Sequence, residues 1–539
     1  MPISGAYSSQ LVNKAAGHRI RFILRGHIPM IKVWELIKTL RNLIFFDTFR
    51  RVLKNITYLC KHKIHIVMII GREKELQELH EAYNDGYSQF VVVYGRRRVG
   101  KTFLVREAFN YKFTFQHAGI AQAPKSTQLE EWKNSLAKYG LKVEKAPKTW
   151  FEAFSLLDDL IRKSRAKRKV IFIDELPWMD TQASNFVPAL EHFWNAYASA
   201  RKDVLLIVCG SATSWIVDKI LHNHGGLHNR LNLKINLRQF TLHECELYAK
   251  SRKLGMQHRQ LLECYMVMGG IPFYWSLLKK ELSLPQNIDA IFFSEDGELN
   301  DEFDALYHSL FRKPEAYITV INTFGKKRIG MPREEIVKES GLDENGKLST
   351  VLKDLEHCGF IRKYHQIGKV SKDAMYQLVD FYTLFYFRFI QENKHHDPCF
   401  WSKSVGSSFY NNWCGLAFER VCLAHISQIK HALSIGGVAS NEYSWFVRKT
   451  EERPGAQIDL LLDRSDETIN ICEIKYTSYS EYMVTEEEEQ KVLNRRERFL
   501  EDTQTTKAIH LTLITTRGLT HNAHADIFQN VVTAESFFE

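Results

Sequence analysis

Three short, continuous apolar runs mark the first part of the chain: Phe90-Val-Val-Val-Tyr94, Lys169-Val-Ile-Phe-Ile-Asp174 and Val204-Leu-Leu-Ile-Val-Cys-Gly210. Runs this rich in β-branched residues, without alternation, predict strands buried on both faces, as in a parallel sheet. Helical spacing lies between them, for example in Phe103-Leu-Val-Arg-Glu-Ala-Phe109 and from Gly71-Arg-Glu-Lys-Glu-Leu76 to Tyr83. Leu231-Asn-Leu-Lys-Ile-Asn-Leu237 alternates and predicts a further strand. Strands and helices in this order predict an α/β fold with a parallel sheet. From Thr241 to about Glu281 the pattern is helical, broken at Met268-Gly-Gly-Ile-Pro272.

Later segments change character. A short helix over Arg333–Ser340, a turn over Gly341–Gly346 and a helix over Leu348–Cys358 with Leu348, Val351, Leu352 and Leu355 on one face are followed by strand-like Gly359–Arg362 and Ala374–Val379. This order predicts a winged helix-turn-helix. Its second helix offers Lys347 and Lys353 but also Asp354 and Glu356, so DNA contact and intramolecular docking stay open as alternatives. Phe381-Tyr-Thr-Leu-Phe-Tyr-Phe-Arg-Phe-Ile390 predicts a buried helix that docks two domains rather than a base-stacking platform. Beyond it a helix through Gly415–Leu423 and strands at Asp459, Ile469–Lys475 and Ala508–Thr515 predict a small mixed sheet.

Composition narrows the class. A chain of 539 residues exceeds one hydrophobic core, and 45 % hydrophobic with 25 % charged residues is ordinary for globular protein. The net charge of +10 resides in residues 1–67, which hold 12 Lys/Arg against 2 Asp/Glu; the rest balances at 61 of each. Charge alone therefore gives no argument for nucleic acid. The leader reads as a surface helix, a targeting segment or an upstream extension before the natural-looking start Met68-Ile-Ile-Gly71. Nine scattered cysteines without a Cys-x-x-Cys pair indicate reduced core residues and a cytoplasmic location. No run of 18 uncharged apolar residues suggests a membrane span.

The chemistry is densest at Gly95-Arg96-Arg97-Arg98-Val99-Gly100-Lys101-Thr102, a P-loop set between a buried strand and the helix that opens at Phe103. Gly95 and Gly100 permit the tight turn that aims backbone N–H groups at ATP phosphates. Lys101 reaches the β- and γ-phosphates, and Thr102 holds Mg²⁺ through its hydroxyl. The helix N-terminus adds positive potential. Asp174 and Glu175 end the second apolar run, where a parallel sheet presents its ligands. Asp174 suits the Mg²⁺ shell, and Glu175 suits the base that polarises water. Ser211 or Thr213, after the third run, is the candidate γ-phosphate sensor. Arg230 is an arginine finger, a sensor or simply a surface residue.

Taken together, Gly71-Arg-Glu-Lys-Glu-Leu76, the P-loop, Ile173-Asp-Glu-Leu-Pro-Trp178, Cys209-Gly-Ser-Ala-Thr-Ser-Trp215 and Gly269-Gly-Ile-Pro272 resemble the prokaryotic and archaeal AAA-related (STAND-type) ATPases with a DEXX-box and a downstream domain of the DUF234 kind. The resemblance runs from about residue 68 to the C-terminus. It implies an ATPase core over 68–240, a helical lid over 241–310, a winged helix over 311–380, an aromatic linker over 381–405 and a restriction-endonuclease-like domain over 406–539. It also implies a place near the adenine for the Gly71-Arg72-Glu73 segment.

In the tail, Glu419 on a helix, Asp459 on one strand and Glu473-Ile-Lys475 on the next follow the order of a PD-(D/E)xK nuclease. Strand periodicity puts Glu473 and Lys475 on one face. Asp459 and Glu473 offer hard oxygens to Mg²⁺, Glu419 supports them, and Lys475 orients water or steadies charge on a scissile phosphate. The run Glu486–Glu489 would repel DNA unless it is a solvated helix start. The reading is an ATP- and Mg²⁺-dependent ATPase whose cycle controls a nuclease-like domain acting on DNA. Its rival is a regulatory switch with an inert tail that engages protein partners or copies of itself.

Overall fold

The computed structural model describes residues 69–539 apart from positions 212, 223–224, 228, 326–329, 369–373, 448–450, 452–454 and 479; the basic leader lies outside the described residues. Helix α1 (Glu73–Asn84) precedes strand β1 (Gln89–Tyr94), and α2 (Lys101–Ala108) follows the P-loop. With β2 (Phe115–Ala118), β3 (Lys169–Asp174), β4 (Val204–Gly210) and β5 (Leu233–Asn236), β1 forms an all-parallel sheet of order β2-β3-β4-β1-β5. Its central strands are buried on both faces, and their side chains sort with period two. Val91, Val93, Phe172 and Ile207 join one core. Phe90, Val92, Ile173 and Val208 join another, filled by Trp132, Trp150 and Phe154. The unpunctuated apolar runs are explained by this double burial.

The first core does not stop at the sheet. It continues through α3 (Leu242–Ser251), α4 (His258–Met268) and α5 (Glu302–Leu310) to one face of the C-terminal sheet, taking in Leu460, Leu462, Ile514 and Phe537. Between them lie α6 (Glu315–Gly325), α7 (Arg333–Ser340), α8 (Gly346–His357) and a three-stranded antiparallel sheet of order β6-β8-β7, from Met331–Pro332, Met375–Leu378 and Ile361–Tyr364. Leu348, Val351, Leu352 and Leu355 are buried along α8 as their spacing requires.

The aromatic segment becomes α9 (Phe381–Phe385) and a π turn over Tyr386–Ile390. Phe385 and Phe389 meet Trp401 and Trp413 with ring centroids 4.9–5.9 Å apart, so the segment is core. Helix α10 (Ser408–Ala424) leads to β9 (Ser440–Val447), β10 (Ala456–Arg464), β11 (Thr468–Lys475), α11 (Glu486–Thr503), β12 (Ala508–Thr515) and β13 (Asn530–Thr533). The sheet order is β13-β12-β11-β10-β9. β9, β10 and β11 form an antiparallel meander, and α11 crosses over so that β12 lies parallel to β11. The last residues return to α3 and α4: Phe538 stacks on His258 at 3.9 Å, and its carbonyl meets His243 Nδ1 at 2.6 Å. Among the described residues no helix is long and apolar enough to cross a membrane.

Candidate functional site

At the end of β1 the chain turns without room for a side chain. Gly95 has φ +139°, and a Cβ there would sit 2.2 Å from the Leu237 carbonyl oxygen. Gly100, at φ +91°, is the N-cap of α2 in the left-handed region. The loop therefore presents its amides toward the N-terminus of α2, the arrangement that receives phosphate. Lys101 is buried and its Nζ donates to the carbonyls of Gly95 and Arg96 at 2.9 and 2.8 Å. Val99 is packed in the core, and Phe103 is exposed at the first turn of α2.

Thr102 Oγ1 donates to Asp174 Oδ2 at 2.6 Å, and Asp174 Oδ1 accepts from the Glu175 amide at 2.9 Å. A hydroxyl and a carboxylate placed together at the foot of the P-loop are a donor set that fits Mg²⁺. Glu175 has φ +50°, a strained value for a residue with a side chain. Its two carboxylate oxygens accept from Ser211 Oγ at 2.9 Å each, and Oε2 accepts from the Ser211 amide at 3.3 Å. Ser211 thus orients the candidate base itself.

Two of the three arginines of the loop direct their side chains elsewhere. Arg96 pairs with buried Asp380 at the N-cap of α9 and lies 4.9 Å over Phe360. Arg98 pairs with Glu302 of α5 at 2.8 Å and lies over Phe273, while Tyr274 donates to the same carboxylate. Arg97 is half-buried. Of Arg96 and Arg98, only the backbone is left for phosphate. Arg72 is buried, donates to the Arg238 carbonyl at 2.7 Å and stacks on Phe240, so it fixes the start of α3.

From the sequence, Arg230 is open as a finger, a sensor or a surface residue. It precedes β5, which runs parallel to β1 with Leu233 beside Val91 and Asn236 beside Tyr94. Arg230 is exposed and lies toward the end of the sheet opposite the P-loop. Its position on the strand's N-terminal side, not its residue type, decides this.

The second candidate site is in the C-terminal sheet. Leu460 pairs with Cys472, which sets Asp459 opposite Glu473. Lys475 Nζ lies 2.9 Å from Glu473 Oε1, and Arg495 of α11 lies 2.5 Å from Glu473 Oε2. Asp459 Oδ1 accepts from Gln457 Nε2 at 2.6 Å. Glu419 pairs with its neighbour Arg420 at 3.3 Å. Burial, then the charge of Asp459, push the Glu419 carboxyl up to about 7, against the pull of Arg420 and Arg362. All four predicted tail residues are thus brought to one end of the sheet. Yet among the described residues no three His, Cys, Asp or Glu side chains are grouped to hold a metal ion. The donors present do not fit Mg²⁺ as they stand, because cations meet Glu419 and Glu473 and an amide meets Asp459. The run Glu486–Glu489 is the first turn of α11, closed by a Thr485–Glu488 capping box, and it complements the helix dipole.

Several residues that contact or bear on the two candidate sites escaped sequence reasoning. Asp380 and Glu302 are distant in sequence from the P-loop they partner, and Arg362, Arg420 and Arg495 belong to no motif; only Arg420, beside Glu419, gave any signal. Lys353 of α8 pairs with Asp218 of the ATPase sheet's own helices at 2.6 Å, across a cleft of about 510 Å³ lined by Ser211, Trp215 and Arg312. The face of α8 expected to meet DNA or an internal partner meets an internal partner at that lysine.

A P-loop after β1, with the acidic pair at the end of β3 two strands away across β4, defines an ATP-binding ATPase site. Residues 69–278 match the family described as an ATPase domain predominantly from Archaea. Over 418 residues the chain is 26 % identical to the uncharacterized protein MJECL04 of Methanocaldococcus jannaschii, covering 76 % of this chain and 88 % of that protein. A 47-residue stretch is 40 % identical to the uncharacterized ATP-binding protein MJ0423 of the same organism, 9 % of this chain and 80 % of that one. The Walker-type ATPase PABY2304 of Pyrococcus abyssi superposes with a TM-score of 0.44 at 17 % identity, over 59 % of this chain and 96 % of that one. Residues 69–278 are thus an ATPase domain of the predominantly archaeal kind.

Proposed function

We propose that ATP hydrolysis at the P-loop sets the position of the C-terminal half, and that the Glu419–Asp459–Glu473–Lys475 constellation there acts on the phosphodiester backbone of DNA. The observation that carries the reading is the pair of ties from the P-loop arginines to Asp380 and Glu302, which lie outside the parallel sheet. Any rearrangement of the loop around phosphate is felt at both.

In the hydrolytic step Lys101 leaves the loop carbonyls for the phosphates. Thr102 and Asp174 are the residues that would hold Mg²⁺, which would supply screening of the phosphate charge. Glu175, oriented by Ser211, takes a proton from water as it attacks. Arg230, exposed on the far side of the sheet, is available only to a neighbouring copy. The segment from α6 to β8 has the helix and strand order of a winged helix, and α9 with its π turn is the joint between it and the nuclease-like tail.

A second reading, the regulatory switch with an inert tail, is favoured by the cations already seated on Glu473 and Glu419. Plasmid cleavage with Mg²⁺ or Mn²⁺, with and without ATP, separates the two. Nicking that disappears in Lys475→Ala and in Asp459→Ala supports the nuclease. ATP-dependent self-association without nicking under any condition supports the switch.

A further inference from the structure

A left-handed backbone such as that of Glu175, at φ +50°, persists in a residue with a side chain only where the surroundings over-determine it. Ser211 fixes the carboxylate end of the residue. The backbone end is fixed by the turn that follows. The Trp178 amide donates to the Glu175 carbonyl at 3.1 Å. The carbonyls of Pro177 and Asp180 accept from Arg312 Nη2 at 3.0 and 2.9 Å. The Trp178 carbonyl is held separately, by a side chain with no exposed surface.

That side chain is Gln128, on the helix Lys125–Lys138. Its Nε2 donates to Trp178 O at 3.1 Å and to Ile120 O at 2.6 Å, and its Oε1 accepts from Ile120 N at 3.0 Å. The amide is thus engaged through both its nitrogen and its oxygen, and every partner is backbone. A buried amide satisfied in this way joins two segments that no strand pairing joins. Those segments leave adjacent strands. β2 ends beside β3 with Ala118 opposite Asp174, and the Gly119 amide donates to Asp174 O at 3.0 Å. At Gly119 the two segments approach so closely that a Cβ would lie 2.5 Å from the Glu175 carbonyl oxygen.

We infer that Gln128 is a positioning residue for ATP hydrolysis: it clamps residues 119–120 to the turn at Trp178 and so keeps Glu175 in the left-handed conformation that brings its carboxylate to Ser211. This deepens the hydrolytic step above and rests on it, with Glu175 as the base. Because the Gln128 amide is used on backbone, its effect on the reaction passes through Glu175. A general base must meet the attacking water within hydrogen-bond reach, so a small rotation of the Glu175 backbone lowers the rate of the chemical step and leaves nucleotide affinity alone.

The test is steady-state ATP turnover by the full chain, with folding checked by urea denaturation. Gln128→Met keeps the length of the side chain and removes its amide; kcat is expected to fall at least about tenfold with KM unchanged within about twofold. Added to Glu175→Gln, the same change is expected to alter the residual kcat by less than about twofold, because residues that act as a unit are not additive. Gly119→Ala presses a methyl group on the Glu175 carbonyl oxygen and leaves the Gln128 amide intact. It is expected to lower kcat in the same way, and it decides the matter should Gln128→Met fail to fold. A folded Gln128→Met with native kcat would overturn the brace, as would a change in KM alone or a further large loss on top of Glu175→Gln; in each case Glu175 would stand as the base. Native turnover in Glu175→Gln would instead overturn the hydrolytic reading and the brace with it.

Discussion

The P-loop and the tail cluster both gather carboxylates and cations at one end of a sheet, yet they come to their charge state in different ways. In the P-loop region the acids are satisfied by hydroxyls and amides: Asp174 by Thr102 and the Glu175 amide, Glu175 by Ser211. The cations of the loop are exported to Asp380 and Glu302. In the tail the acids are met head-on by arginine and lysine. The first arrangement leaves a donor set open to Mg²⁺, while the second closes one. The same residue types give a receptive site or a neutralised one according to which partner the fold delivers.

The sharpest way to break the comparison is at Glu175. Glu175→Gln keeps the bond from Ser211 but removes the base, and ATP turnover is expected to fall by about 10²- to 10⁴-fold with nucleotide binding retained. Single-turnover hydrolysis beside a nucleotide-binding isotherm checks it; near-normal turnover would remove Glu175 from the role. Next comes Arg96→Ala. It strands Asp380, which is 3 % exposed, and uncompensated buried charge of this kind costs about 3–5 kcal/mol. Urea denaturation should show that loss, whereas Arg495→Ala in the more open tail site should cost less. A loss at Arg495 as large as at Arg96 would erase the distinction between a buried and an accessible site.

Acid and base should act on the two regions with opposite sign. His117, edge-on to Trp132 in the ATPase core, is lowered by burial to about 4. Below the ordinary histidine value the unfolded chain takes up a proton that the folded chain refuses, so this stability is present above pH ~6.5 and is lost as pH falls toward 4. Glu419 is raised by burial and Asp459 to about 7, so its contribution is full below the ordinary glutamate value and is lost as pH rises through 7. Each amounts to at most about 3 kcal/mol. In denaturation midpoints measured from pH 4 to 8, His117→Phe should flatten the acid limb and Glu419→Gln the neutral one. If either variant kept the native slope, that assignment would fail. The smallest effect is expected at Ser211→Ala, where loss of one hydrogen bond to a carboxylate should lower kcat about tenfold, or roughly 1.4 kcal/mol, with KM little changed. A shift in KM alone would mean that Ser211 binds nucleotide rather than orienting Glu175.

The sequence determined the elements whose physics is local. Eight contiguous residues carry the P-loop because the turn, the helix N-terminus and the lysine are all built within one strand–turn–helix. The three inner strands β1, β3 and β4 were legible because burial on both faces leaves their interiors apolar, whereas polar β2 gave no such run. In the tail, period two put Glu473 and Lys475 on one face, and strand register then set Asp459 opposite. Only the tertiary structure decided what those charges meet. Arg230 fell at the wrong end of the sheet because strand polarity, not composition, places it. Arg96 found Asp380 and Glu419 came under the charge of Arg362 across long sequence separations. Charge interactions fall off with distance in space and not along the chain, so the partner of a buried ion is fixed only when the chain has folded.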